Sequence, residues 1–131
     1  MIVQVAPWDL DEFWPTAEPL LREAMERLET GETLDDVYRQ VARANALLWL
    51  WQSAGETKMA LVLENQDGWL SAWLVGGEDM TDWIDDGLAA MDRYAVEAGL
   101  KGCRATTRPG IARALRERGW SKIAEVVQVS R

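Results

Sequence analysis

A single α/β domain, with a mixed and strongly twisted sheet covered by helices on both faces, is the fold class that the 131-residue sequence predicts. Three observations carry it. The apolar residues recur with period two in some segments and about 3.6 in others, in the order βααβββαβαβ. Near the C-terminal end a strand, a long helix and another strand form a crossover unit, which requires the fourth and fifth strands to run parallel. The central strands carry apolar residues on both faces, as a sheet sandwiched between helices must.

The elements follow in order. Ile2 to Val5 alternates as a short strand stopped by Pro7. Thr16 is placed to cap a helix whose stripe is Leu20, Leu21, Ala24, Met25 and Leu28, ended by Gly31. Thr33, with Asp36 three residues on, resembles a capping box, and Val37, Tyr38, Val41 and Ala44 continue a second, shorter helix. From Ala46 the period changes to two: ALLWLWQ, KMALVLEN and WLSAWLV read as three consecutive antiparallel strands, with Asp67-Gly68 as a hairpin turn. Gly76-Gly77 breaks the last of them, and Thr81 opens a helix to Ala98 with Ile84, Leu88, Met91 and Ala95 on its buried stripe. Residues 101–107 form a fifth strand, Ile111 to Arg118 a helix closed by Gly119, and Ile123 to Val129 a last strand. No repeat or linker divides residues 1–131, which read as one domain.

Composition then excludes chemistry. The absence of His removes Ser-His-Asp and Cys-His catalysis and nearly every His-built metal site, and a lone Cys103 removes disulfides and CxxC motifs. What remains is carboxylate, Arg, hydroxyl or backbone chemistry. The start, MIVQVAPWDL, lacks the basic and sustained apolar regions of a signal peptide, so a cytoplasmic location is expected, and no membrane span is.

The element order, with Ile111-Ala-Arg-Ala-Leu-Arg-Glu-Arg-Gly119-Trp120 before a last strand, resembles the GNAT N-acetyltransferase superfamily, whose penultimate helix closes with Gly and an aromatic. The sequence is most similar to small GNAT-like proteins encoded by tailed bacteriophages, in residues 18–28 (EPLLREAMERL), 33–41 (TLDDVYRQV), 48–51 (LWLW), the Val75-Gly76-Gly77 loop with Asp79 and Trp83 behind it, and 108–120. The resemblance implies acetyl-CoA as donor, its pyrophosphate held by an Arg/Gln-x-x-Gly-x-Gly/Ala loop and the helix start that follows. The stretch here, GGEDMTDWIDD, has two glycines but no Arg or Gln, and sets Glu78, Asp79 and Asp82 around that helix start. These acids suit the helix dipole and oppose an anion. The family often places a proton-donating Tyr four residues before the closing Gly, where this chain has Leu115, and an Asn at that helix's start, where it has Arg108.

The reading preferred from sequence is therefore a non-catalytic, degenerate GNAT-like phage protein that works through protein contacts, in virion assembly or host takeover, with no cofactor. The alternative is an acyl-CoA-dependent N-acetyltransferase with an atypical loop. In it Val75, Gly76 and Gly77 hold the pyrophosphate, Arg108 or Arg113 takes further phosphate charge, and Glu64 or Ser121 serves the proton transfers. A small-ligand binding module is a second alternative.

Three features bear on partners. Glu78, Asp79, Asp82, Asp85 and Asp86 lack the loop-built oxygen cage of a calcium site, so a solvated acidic helix face is expected and no metal. Charge is segregated: residues 1–100 carry 6 basic and 20 acidic side chains, whereas residues 101–131 carry 8 basic and 2 acidic. The basic group includes Arg104, Arg108, Arg113, Arg116, Arg118 and Lys122, with Arg113 spaced to pair with Glu117; a protein partner or internal charge balance is expected in preference to nucleic acid, because a net charge of −8 repels it. Of the eight tryptophans, Trp49, Trp51, Trp69 and Trp73 fall on sheet strands, opposite Leu48, Leu50, Leu70 and Leu74, and read as core. Trp120 belongs to the closing Gly-aromatic pair, which leaves Trp8, Trp14 and Trp83, with Arg116, Arg118 and Lys122, as the surface for a protein partner or a homodimer. Cys103 reads as a small core residue.

Overall fold

The computed structural model describes residues 1–27, 31–106 and 109–121. Strand β1 (Ile2–Val5) leads through a 3-10 turn at Pro7–Asp9 into helix α1 (Leu10–Glu26) and helix α2 (Leu34–Ala42). Strands β2 (Leu47–Ser53), β3 (Glu56–Gln66) and β4 (Trp69–Gly77) form the meander, followed by helix α3 (Met80–Glu97), strand β5 (Cys103–Ala105) and helix α4 (Pro109–Glu117). The sheet order is β1-β2-β3-β4-β5, antiparallel except for the parallel β4–β5 pair. The expected last strand, 123–129, lies outside the described residues.

Both hairpins turn through positive φ at two successive residues, Ala54-Gly55 and Asp67-Gly68, the two-residue geometry whose twist matches antiparallel strands. Two cores result. Leu48, Leu50, Ala60 and Val62 pack under α1 and α2 against Leu10, Ala17, Leu21, Val37 and Val41. Trp49, Trp51, Met59, Leu61 and Leu63 pack under α3 and α4 against Trp83, Ile84, Met91, Ala95 and Ala114.

The start of α1 corrects the expected one. Thr16 lies inside the helix, which begins at Leu10 and runs through Pro15 and Pro19. An interior proline forfeits a backbone hydrogen bond and costs about 3 kcal/mol. Burying Leu10, Ala17 and Leu21, all at 2% exposure or less, carries the helix across both. At α2 the capping box is present: Asp36 N–H donates to Thr33 Oγ1 (3.3 Å) and Thr33 N–H to Asp36 Oδ2 (2.9 Å). Thr33→Ala should lower stability by about 1 kcal/mol in a chemical denaturation curve, with the slope unchanged.

β4 holds the second correction. Val62 pairs with Leu74 while Leu63 pairs with Ala72, so Trp73 is an extra residue, a bulge. It resets the alternation: Leu70 and Ala72 face α3, but Leu74 faces α1, so Leu70 and Leu74 do not share a face as strict period two requires. β5 is also shorter than expected, three residues in place of seven, with Thr107 outside the described residues.

Candidate functional site: an apolar cleft beside the end of β5

β5 pairs with β4 only at Leu70–Cys103, Ser71–Arg104 and Ala72–Ala105. β5 ends at Ala105, so the run of β4 from Trp73 to Gly77 has no β5 partner among the described residues. On the α3–α4 side of the sheet lies an apolar cleft, walled by Val75 of β4, Trp83, Gly87 and Leu88 of α3, and Leu115 and Trp120. It encloses about 440 Å³ including its open mouth, of which about 40 Å³ admits the centre of a water molecule. Leu115 contributes apolar wall and no proton.

The turn into α3 adjoins the cleft through the lining residue Trp83. Trp83 Nε1 donates to the Glu78 carbonyl (2.7 Å), and Glu78 N–H donates to the Lys58 carbonyl (2.9 Å). Asp79 adopts the left-handed conformation at the helix start, and Asp82 N–H donates to the Asp79 carbonyl (2.8 Å). Lys58 of β3 reaches both acids, Nζ lying 2.9 Å from Asp82 Oδ2 and 3.2 Å from Asp79 Oδ2. Hydrogen bonds to Asp82 and then Asp79 hold the lysine above its ordinary range. Further along α3, Asp85 accepts from Arg118 Nε (2.7 Å) and Asp86 from Trp51 Nε1 (2.8 Å). The acidic face is exposed, as expected, and is also engaged by a lysine, an arginine and an indole. Among the described residues no acidic group is arranged to hold a metal.

Gly76 and Gly77 do not form a ligand cradle. A Cβ on Gly76 would stand 2.0 Å from the Leu20 carbonyl oxygen of α1, and one on Gly77 would stand 2.5 Å from the Lys58 carbonyl oxygen. Both are glycine because helix and neighbouring strand press against them. With the Glu78 N–H spent on the Lys58 carbonyl of β3, the Asp82 N–H on the Asp79 carbonyl, and two carboxylates at the helix start, the turn does not fit the diphosphate of acetyl-CoA. The apolar cleft behind it does suit a thioester arm.

The other expected site residues separate. Glu64 lies on the α1–α2 face of β3, opposite Ser71 and one pair before the β4–β5 pairing ends. Burial, and then the charge of Glu32, push its carboxyl above its usual range, opposed by the Gln66 amide (3.0 Å). Trp73, at the bulge, donates to Glu32 Oε2 (2.8 Å). Arg104 stacks on Trp69, its guanidinium 4.1 Å from the ring centre, so Trp69 lies under a cation at the sheet edge and not in either core. Ser121 and Arg113 are exposed, and Arg108 and Lys122 lie outside the described residues.

The partner surface changes more. Trp83 is 5% exposed and belongs to the core, because its helix position faces the sheet. Arg118 is held by Asp85 and the Ala114 carbonyl, so the ion pair made by α4 is to α3 and not the expected Arg113–Glu117. Trp14 packs edge-on to Tyr38 with ring centres 5.3 Å apart. Trp8, 85% exposed, and Arg116 remain on the surface. Cys103 is half-buried against the α3 core, where burial raises its thiol pKa. Lys58 and Gly87 are the residues that sequence reasoning missed.

No helix among the described residues is long and apolar enough to cross a membrane. No family model and no curated protein matches the sequence. Solved structures do. A GCN5-related N-acetyltransferase from Ralstonia eutropha aligns over 99% of this chain and 97% of its own, at 14% identity and a TM-score of 0.64. A ribosomal-protein-alanine N-acetyltransferase from Brucella melitensis aligns over 100% and 99%, at 15% identity and 0.65. A predicted acetyltransferase from Clostridium acetobutylicum, solved with acetyl-CoA, aligns over 99% and 95%, at 9% identity and 0.70. On this measure the chain has a single-domain GNAT-like α/β fold.

Proposed function

We propose that the chain is an N-acyltransferase that takes its acyl group from a thioester lying in the cleft beside the end of β5. The carrying observation is the cleft itself: an apolar slot beside an unpaired strand segment, in a fold shared with acetyltransferases. β4 offers backbone N–H and C=O groups to the amides of a thioester arm, and Val75, Leu88 and Leu115 exclude water from the reacting carbonyl. An amine entering from the α1–α2 side meets Glu64, which takes the ammonium proton directly or through one water. The amine nitrogen then bonds to the acyl carbon, the C–S bond breaks, the nitrogen gives its second proton to solvent, and the thiolate takes one from solvent, since Leu115 offers none.

Titration with an acetyl thioester tests this. At 100 times its Kd a ligand adds about 2.7 kcal/mol to stability, a shift easily read by thermal unfolding. No shift at millimolar thioester overturns the proposal. That result would favour the other reading, a non-catalytic protein working through protein contacts, which rests on Leu115, on the acidic helix start and on exposed Trp8.

Glu64 gives a second expected result. Its folded pKa is raised, so the folded chain holds this proton more tightly than the unfolded one, and the associated stability falls as pH rises through the ordinary carboxylate range. Glu64→Gln should therefore melt higher than the parent at pH 7 and match it at pH 4, while slowing acyl transfer at pH 7, where the parent's carboxylate is free to take a proton. A stability gain of equal size at both pH values would remove the raised pKa from the argument.

A further inference from the structure

The cleft and the turn beside it ask for different chemistry. The inner walls, from Val75 to Leu115 and Trp120, are apolar and suit an alkyl-amide arm ending in a thioester. The turn into α3 lies beside these walls, Lys58 and Asp82 standing next in the chain to the lining residues Met59 and Trp83; there Asp79 and Asp82 close on Lys58, the Glu78 N–H donates to the Lys58 carbonyl of β3 and the Asp82 N–H to the Asp79 carbonyl. A diphosphate brought there would face two carboxylates that share one ammonium. It would also find Gly76 and Gly77 pressed against backbone carbonyls, with no room to open the turn.

We infer that the acyl donor is a nucleotide-free acyl-pantetheine thioester, and that the Lys58–Asp79–Asp82 triad at the turn beside the cleft discriminates against coenzyme A. This rests on the acyltransferase reading and specifies its donor. The triad acts by repulsion: it contributes nothing to the arm and opposes the one part of coenzyme A that the arm lacks. The same arm could reach the cleft free in solution or carried on a protein. Both sources present the thioester without the nucleotide diphosphate.

The test is calorimetric titration of the full chain with acetyl-pantetheine and with acetyl-CoA, at low and at physiological salt. Acetyl-pantetheine should bind at least as tightly as acetyl-CoA, and added salt should strengthen acetyl-CoA binding by screening the turn while leaving acetyl-pantetheine unchanged. Asp79→Asn with Asp82→Asn should tighten acetyl-CoA by about tenfold or more and leave acetyl-pantetheine within about twofold. Asn tolerates the left-handed conformation at position 79, and the salt series on the unaltered chain needs no variant. Titration with an acetylated acyl carrier protein separates the two sources: tighter binding than the free arm assigns a carrier-borne donor, equal or weaker binding a small-molecule one. Acetyl-CoA binding tenfold tighter than acetyl-pantetheine overturns the inference and leaves the acyltransferase reading standing. Binding of neither overturns both.

Discussion

Gly76→Ala should destabilise the protein by about 3 kcal/mol or more, lowering its melting temperature by roughly 10 °C. The new methyl would stand 2.0 Å from the Leu20 carbonyl oxygen, 2.8 Å from the Leu20 carbonyl carbon and 3.5 Å from the Ala24 Cβ. The first two atoms belong to the backbone of α1, which no rotamer change can move. To make room, α1 must slide from β4, and it carries Leu10, Ala17 and Leu21 with it, three residues at 2% exposure or less. Overpacking against a flexible side chain is usually relieved locally. Overpacking against a helix that already spans Pro15 and Pro19 has fewer ways to relax. A calorimetric melt of the variant beside the parent checks this, and a loss below about 1 kcal/mol would show that α1 is free to shift on the sheet. The expectation separates two roles for the same residue, because a glycine reserved for a phosphate would tolerate Ala in the ligand-free protein.

How much of this was legible in the sequence depends on the distance over which each residue acts. The strands, both hairpins and the Thr33 box were readable because their causes lie within a few residues: period two, an Asp-Gly turn, a hydroxyl three positions before a carboxylate. Thr16 misled because a proline near a helix start ordinarily marks its first turn. Here the burial that carries the helix past Pro15 comes from the sheet, which local sequence does not display.

The bulge at Trp73 was the larger loss. Continuing the pairing from the Asp67-Gly68 turn without an extra residue would set Met59 opposite Gly76, whereas the structure pairs it with Gly77. That single residue decides which side of the sheet Leu74 faces and shifts the register that sets Lys58 beside Asp79 and Asp82. The acids and their exposure were readable in sequence, and their cation was not. Trp83 was misjudged for a related reason: an aromatic next to a helix start looks peripheral until the turn behind it folds under the indole.

Gly87→Leu should leave the melting temperature equal or higher while weakening acetyl-thioester binding by tenfold or more, provided that the cleft is the binding site. Gly87 is buried in the middle of α3 and lines the cleft, and a Cβ built on it meets nothing within 4 Å. A mid-helix glycine costs about 0.5–1 kcal/mol relative to Ala, and here no close contact compels it. The physical reason left for it is the space it keeps open. Gly87→Ala should recover the helix propensity, raise stability by up to about 1 kcal/mol and still admit the ligand. Gly87→Leu should add apolar contact with the opposite wall and occupy the room the thioester needs. Thermal unfolding and thioester titration on the pair decide the matter together. If Leu is accommodated and binding persists unchanged, the thioester does not lie in this cleft. If both variants melt far below the parent, the cleft is more tightly packed than described and offers no site. Stability maintained with binding lost would mean that a destabilising glycine holds open the space in which the acyl group is received.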